Sequence, residues 1–192
     1  MGKNKTVYQL NITLKGSKPP IWRRFAVNSE VKLSTLHVVI QEVMGWTDSH
    51  LHQFRQKDVY YVTEIDELDY NPFSGYEMLL EKKFKLSQVL VNPKDKIIYE
   101  YDFGDGWEHV LTLEKILEGD AKIKTPVCLD GARACPPEDC GGIYGYYDML
   151  AILKDPDNPE YDDMKEWLGE GFDPDAFDVE EINYMLKGIR SA

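Results

Sequence analysis

In the stretch KIIYEYDFGDGWEHVLTLEKI, residues 96–116, apolar and polar side chains alternate on both sides of Gly104-Asp105-Gly106. A period of two marks strands that turn one face to a core, and glycine supplies the positive φ that a tight turn requires. Residues 96–103 and 107–116 are therefore expected to form a long hairpin. Two registers compete. With a two-residue turn at Asp105-Gly106, Asp102 lies opposite His109, their Cβ atoms about 5 Å apart, a ready carboxylate–imidazole pair. With a three-residue loop, Ile97, Tyr99, Tyr101 and Phe103 face Leu113, Leu111, His109 and Trp107. The second register is preferred, because a one-residue slip is costly when a face is buried and only this pairing makes one face continuously apolar and aromatic. It leaves Asp102 beside Glu108 on the other face, where two like charges need water, a cation or an arginine such as Arg23 or Arg24 between them.

Outward from this hairpin, residues 7–14 (VYQLNITL) and 21–27 (IWRRFAV) have strand composition and are joined by Gly16 to Pro20, which cannot continue a ladder. Leu36, Val39, Ile40 and Val43 recur at helical spacing, so a helix capped by Ser34 or Thr35 is expected to run to about Met44 and stop at Gly45. A strand begins near His50 with HLHQF, and residues 60–81, with Asn71-Pro72 and Ser74-Gly75, read as an irregular excursion. Beyond Lys124 the prolines and glycines indicate loop, followed by helices at 144–153, 162–168 and 179–189. The last is capped by Asp178, and its stripe of Val179, Ile182, Met185, Leu186 and Ile189 is expected to dock on the sheet. The expected fold class is α+β, a β-grasp-like mixed sheet with a covering helix and a C-terminal helical segment. One domain over 1–192 would comprise a sheet core at 1–124, with the Cys/Pro/Gly loop and helices of 125–192 packed on it.

The 192 residues are 43% hydrophobic and 12% aromatic, enough for one sizeable core. Lys and Arg number 22 against 34 Asp and Glu, a net charge of −12 that repels a phosphate backbone. The paired bases Arg23-Arg24 and Lys82-Lys83 belong to no basic helix or aromatic-interleaved stripe, so direct nucleic-acid binding is not expected. No segment approaches the roughly 20 apolar residues of a membrane span, and no signal-peptide core follows Met1. Met1-Gly2 is a marginal acylation match without a polybasic patch. A soluble, cytoplasmic protein is expected, in which Cys128, Cys135 and Cys140 serve as free thiols or metal ligands rather than in a disulfide.

Three constellations can carry chemistry. Asp102, Asp105, Glu108 and His109 gather around the hairpin turn as candidate acid, base or metal-binding groups. His50 and His52 share a strand face, and with His109 they are candidate ligands for a divalent metal such as zinc, although such pairs also simply hydrogen-bond at an aromatic sheet edge. In the third, Cys135, Glu138 and Asp139 lie in a stretch whose cysteine spacing does not match a C-x-x-C knuckle, so it reads first as a rigid cover. A nucleophilic cysteine would need His109 or a cation beside it. No G-x-S-x-G elbow, P-loop, Rossmann glycine fingerprint or H-E-x-x-H helix is present.

The ordered motifs PPIWRR (19–24), GW (45–46), HLHQF (50–54), YEYDFGDGWEH (99–109), CPPED (135–139) with Gly141-Gly142, and FDP (172–174) resemble the plasmid Ri ORF-three-like family over nearly the whole chain. That family is also labelled as the insertion-element passenger TnpR family, so the resemblance implies a mobile-element association. It carries over no catalytic residues. The resolvase sense of the label fits poorly, because a serine recombinase needs a serine among arginines and a basic reading helix, and this tail is acidic.

Two functions follow. The first is a noncatalytic binding or accessory module associated with mobile elements, meeting a protein partner through aromatic anchors among Tyr101, Phe103 and Trp107, with Arg23, Arg24, Cys135, Glu138 and Asp139 as further contacts. Core packing is the competing role for those aromatics. The alternative is a metal-dependent hydrolase, with His50, His52 and His109 as ligands and Asp102, Asp105 or Glu108 as base.

Overall fold

The alternating stretch forms the middle of an eight-stranded sheet in the computed structural model, which describes residues 6–65, 75–117, 123–169 and 171–189. Strands β1 (Val7–Leu14), β2 (Trp22–Asn28), β3 (His52–Gln56), β4 (Val59–Val62), β5 (Glu77–Leu80), β6 (Lys96–Tyr101), β7 (Trp107–Leu117) and β8 (Val127–Ala132) lie in the order β5-β4-β3-β6-β7-β1-β2-β8. Among the described residues only β4 and β5 pair in parallel, so the sheet is mixed and the fold is α+β. Helix α1 (Leu33–Met44) follows the first hairpin, α2 (Leu86–Val89) precedes β6, and α3 (Gly142–Ile152), α4 (Tyr161–Leu168) and α5 (Val179–Leu186) follow β8.

The two faces of the sheet differ sharply. One face carries Leu10, Ile12, Phe25, Val27, Phe54, Tyr99, Tyr101, Trp107, Leu111 and Leu113, all buried with Leu36, Val39, Ile40 and Val43 of α1 in one core. Each such side chain withdrawn from water contributes about 1.5–3 kcal/mol before the cost of ordering it. The other face is open and charged: Arg24 pairs with Glu114, and Glu108 with Lys15 and Arg55.

The strand alternation is as expected, but the register is not. Tyr101 pairs with Trp107 and Tyr99 with His109, two residues away from the three-residue-loop pairing, and the turn is the five residues 102–106. A two-residue shift keeps every side chain on its face, which is why facial sorting alone could not distinguish these pairings. Asp102 leaves the ladder in the left-handed region, φ 56°. Glu108 instead lies opposite Glu100, and the cations beside it are Lys15 and Arg55 rather than Arg23 or Arg24.

Three local expectations are also corrected. The first amide of α1 is satisfied by the Phe84 carbonyl at 3.0 Å, across the Lys32–Lys85 bridge, so neither Ser34 nor Thr35 caps the helix. Residues 60–81 contribute to β4 and β5; Asn71-Pro72 and Ser74, like Met1-Gly2, lie outside the described residues. Part of the presumed loop after Lys124 is β8, which extends the sheet beyond β2. Gly131 hid that strand: a Cβ there would stand 2.6 Å from the Phe177 ring and 2.8 Å from Arg23, so only glycine lets them approach. Helix α5 docks through fully buried Leu186, and Asn183 exchanges two hydrogen bonds with the backbone of Cys128, at 2.8 and 2.9 Å.

Candidate metal centre

Strand order brings three loops to one end of the sheet. Helix α1 ends at Gly45, in the left-handed region, and the chain passes through Thr47 to His50 before entering β3. His52 pairs with Tyr101, which sets residues 47–51 beside the 102–106 turn, and the Asp102 N–H donates to the Leu51 carbonyl at 2.9 Å. The third loop, leading into α3, presses against that turn. The Gly141 N–H donates to Asp105 Oδ2 at 3.1 Å, and a Cβ on Gly142 would stand 2.4 Å from the Asp105 carbonyl oxygen.

At this junction His50, Asp102, Glu138 and Asp139 converge. His50 Nε2 lies 3.7 Å from Asp102 Oδ2, 3.7 Å from Glu138 Oε2 and 3.3 Å from Asp139 Oδ1. One ligand atom each from His50, Asp102 and Asp139 fall within 4.8 Å of one another. The supporting bonds are one-sided. Glu138 Oε1 accepts from the Thr47 N–H (2.8 Å), Thr47 Oγ1 (2.9 Å) and Tyr101 Oη (3.1 Å), while Asp102 Oδ1 accepts from the amides of Gly104 (2.9 Å) and Asp105 (3.4 Å). The second oxygen of each carboxylate is thereby turned toward His50. Tyr101 Oη also accepts from the Ser49 N–H at 2.9 Å, and burial pushes its hydroxyl up to about 12, so it remains a donor.

Buried polar atoms normally find partners. Among the described residues five buried side-chain atoms have none, and two of them, His50 Nε2 and Glu138 Oε2, meet at this point. No described Lys or Arg forms an ion pair with Asp102, Glu138 or Asp139. Ligands about 2.1 Å from a shared cation stand roughly 3.0 Å apart in an octahedron and 3.4 Å in a tetrahedron. The 3.3–3.7 Å separations from His50 are close to those edges. The mutually close set is one imidazole and two carboxylates, with Glu138 Oε2 approaching it from the His50 side, and such an oxygen-rich set suits Mn2+ as well as Zn2+.

The other sequence candidates lie elsewhere. His52 is buried, bonded to Glu81 Oε2 at 3.0 Å and stacked on His37 at 3.4 Å between centroids. His109 is fully buried: Trp46 Nε1 donates to its Nε2 at 3.4 Å, its Nδ1 lies 3.3 Å from the Tyr99 carbonyl, and burial lowers its pKa to about 4. His50, His52 and His109 therefore form no joint ligand set, because the latter two face the covered core. Glu108 sits on the open face, held below the usual carboxylate range by Lys15 and then Arg55. Arg23 is buried and donates from Nε to the Val43 carbonyl at 2.8 Å and from Nη1 to the Trp22 and Ala132 carbonyls at 2.9 Å, bracing the C-terminus of α1. Arg24 is committed to Glu114.

Burial pushes the Cys135 thiol well up and the Cys140 thiol to about 12, with Asp105 adding to the latter, so neither is an activated nucleophile. Tyr101 and Trp107 are core residues and Phe103 is half-exposed. Thr47, Ser49 and His37 were not singled out by the sequence. A T-x-S run after a helix stop was the only available signal for the first two, and it names no partner.

A family model for the plasmid pRiA4b ORF-3-like protein matches residues 6–181. The chain is 35% identical over 185 residues to the uncharacterized protein y4hQ of Sinorhizobium fredii, covering 96% of this chain and 92% of that protein. It also matches the crystal structure of MM3350, a protein of unknown function from Methanosarcina mazei Go1, at 39% identity and a TM-score of 0.81, covering 92% of this chain and 97% of that one.

Proposed function

The chain belongs to the plasmid pRiA4b ORF-3-like protein family, and we propose that it is a divalent-cation-dependent hydrolase whose cation is held by His50, Asp102 and Asp139, with Glu138 beside His50. The observation that carries this reading is the meeting of unpartnered His50 Nε2 and Glu138 Oε2 beside two further carboxylates with no described Lys or Arg paired to them. A bound divalent cation would polarise a carbonyl and lower the pKa of water. The chain's own residues do the rest: Thr47 and Tyr101 fix Glu138, the 102–106 turn fixes Asp102, and Asp105 is the carboxylate left at the rim to accept a proton. Three carboxylates exceed the charge of one divalent cation, in a chain of net charge −12. Uncharged amides or esters therefore suit the site better than phosphoesters.

The test is metal analysis and Mn2+ titration of chelator-free protein, followed by amide, ester and phosphoester panels. One cation per chain, lost in His50→Ala, with amide or ester turnover, is expected; a wild-type protein that takes up neither Mn2+ nor Zn2+ overturns the reading. A second reading is a noncatalytic binding or accessory module carried with mobile elements, in which the cation only locks the three loops. Exposed Leu51 and Phe103 beside the site favour it, and it predicts cation binding without turnover of any panel substrate.

A further inference from the structure

We infer that the cleft between the C-terminus of α1 and helix α5 is a second ligand site, separate from the cation centre, which takes a small organic ammonium ion carrying an apolar or aromatic body. The cleft has a volume of about 780 Å³, within the roughly 300–1,000 Å³ of small-molecule sites. Its apolar wall is Trp46, Phe172, Phe177, Ile182 and Met185. Met185 is 52% exposed and Trp46 only 6%, so the wall reaches from the surface to the core. None of His50, Asp102, Glu138 or Asp139 lines the cleft, and the inference stands apart from the cation reading above.

The charges around the cleft select the occupant. Glu42, Asp173, Asp178 and Glu181 also line it, and no described Lys or Arg forms an ion pair with any of them. Among the described residues Arg23 is the only cation in the lining, and it is already engaged. Its Nε, Nη1 and Nη2 donate to the carbonyls of Val43, Trp22, Ala132 and Met44, and the Phe177 ring centre lies 5.0 Å from its Cζ. The amides at the start of α5, which would otherwise attract an anion, donate to Asp178 Oδ1 at 2.8 and 3.1 Å. An anion would therefore meet four carboxylates, with neither Arg23 nor the helix end free to receive it. An ammonium ion meets the reverse: carboxylates for its charge, and in Trp46 and Phe172 aromatic side chains whose π-systems attract cations. Asp173 and Asp178 also accept backbone amides of their own turns, so Glu42 and Glu181 are the pair that can be neutralised without disturbing the backbone.

Phenethylamine, phenethyl alcohol and hydrocinnamate isolate the effect, since they share one aromatic body and end in a positive, a neutral and a negative group. Calorimetric titration of the full chain near neutral pH and at low salt is expected to give the amine an affinity about tenfold above the alcohol, with hydrocinnamate the weakest. In the double variant Glu42→Gln, Glu181→Gln the amine should fall to within about threefold of the alcohol, whose own affinity is unchanged. Phe172→Ser should weaken amine and alcohol together, and His50→Ala should leave the preference intact. An amine no tighter than the alcohol, hydrocinnamate as the best ligand, or a preference that survives Glu42→Gln, Glu181→Gln overturns the inference. So does a preference lost in His50→Ala, which would place the amine among the carboxylates of the cation centre instead. Mn2+ uptake is read separately, so failure of this inference and failure of the cation reading are distinguishable.

Discussion

His109, inside the sheet, has Trp46 at one ring nitrogen and the Tyr99 carbonyl at the other; His50, at the loop end, keeps Nε2 buried without a hydrogen-bond partner and faces three carboxylates. Their neighbourhoods differ in the same way. The interior combines rings and ring partners, as where Tyr99 Oη meets both His37 Nδ1 and Gln41 Nε2 at 2.8 Å. The loop end holds carboxylates whose donors satisfy only one oxygen each. Satisfied polar groups in a packed interior contribute to stability, whereas an unsatisfied, like-charged cluster costs stability until a ligand arrives. The comparison teaches that histidines alike in sequence differ in what they leave free: His109 has a partner at each ring nitrogen, whereas His50 Nε2 has no hydrogen-bond partner.

The comparison breaks first if interior and rim respond alike to truncation. Trp107→Ala empties a fully buried position in the core and should cost about 3–5 kcal/mol in denaturant unfolding, while Phe103→Ala should stay within about 0.5 kcal/mol. Equal losses would mean that the rim is packed as tightly as the core.

Next in size is acid sensitivity. His109 has its pKa lowered by burial from 6.5 to about 4, so the unfolded chain takes up a proton that the native chain refuses. Its contribution is complete above about pH 6.5 and is lost as pH falls toward about 4, amounting to about 3 kcal/mol. His37, lowered by burial and then by His52, acts in the same direction. Unfolding free energies measured across this window should therefore flatten in part, not wholly, in His109→Gln. An unchanged slope would show that His109 titrates freely in the native chain.

At the loop end the readout shifts from stability to affinity. His50→Ala should weaken Mn2+ binding about 100-fold, a change of roughly 2.7 kcal/mol, with the unfolding midpoint of the cation-free protein nearly unchanged. A large drop in that midpoint would make His50 another interior residue. The smallest expected effect sharpens the role of the supporting shell: Tyr101→Phe removes the donor to Glu138 and should lower Mn2+ affinity about tenfold in a titration.

How much was legible varied with the range of the interaction. β1 runs over Val7–Leu14 as its alternation indicated, and α5 begins at Val179 behind the Asp178 cap, whose side chain accepts from the amides of Glu180 and Glu181. Strand β8 was missed because Gly131 and the following prolines outweigh a short apolar alternation, and Gly131 is required by Phe177 and Arg23, far away in sequence. His50, Asp102, Glu138 and Asp139 were all among the candidate residues, yet they were divided among three separate groupings. Their assembly depends on His52 pairing with Tyr101 and on Gly142 allowing the third loop against the turn.

The sequence by itself therefore determined the central hairpin strands, β1 to β3, α1, the C-terminal helices and the α+β class, but not β4, β5 or β8, because hydrophobic period and turn residues act within a few positions of one another. The tertiary structure alone decided the hairpin register, the burial of His52 and His109, and the joining of one imidazole to three carboxylates. A two-residue shift leaves facial patterning unchanged, and the meeting of three loops depends on strand order, which no local pattern encodes.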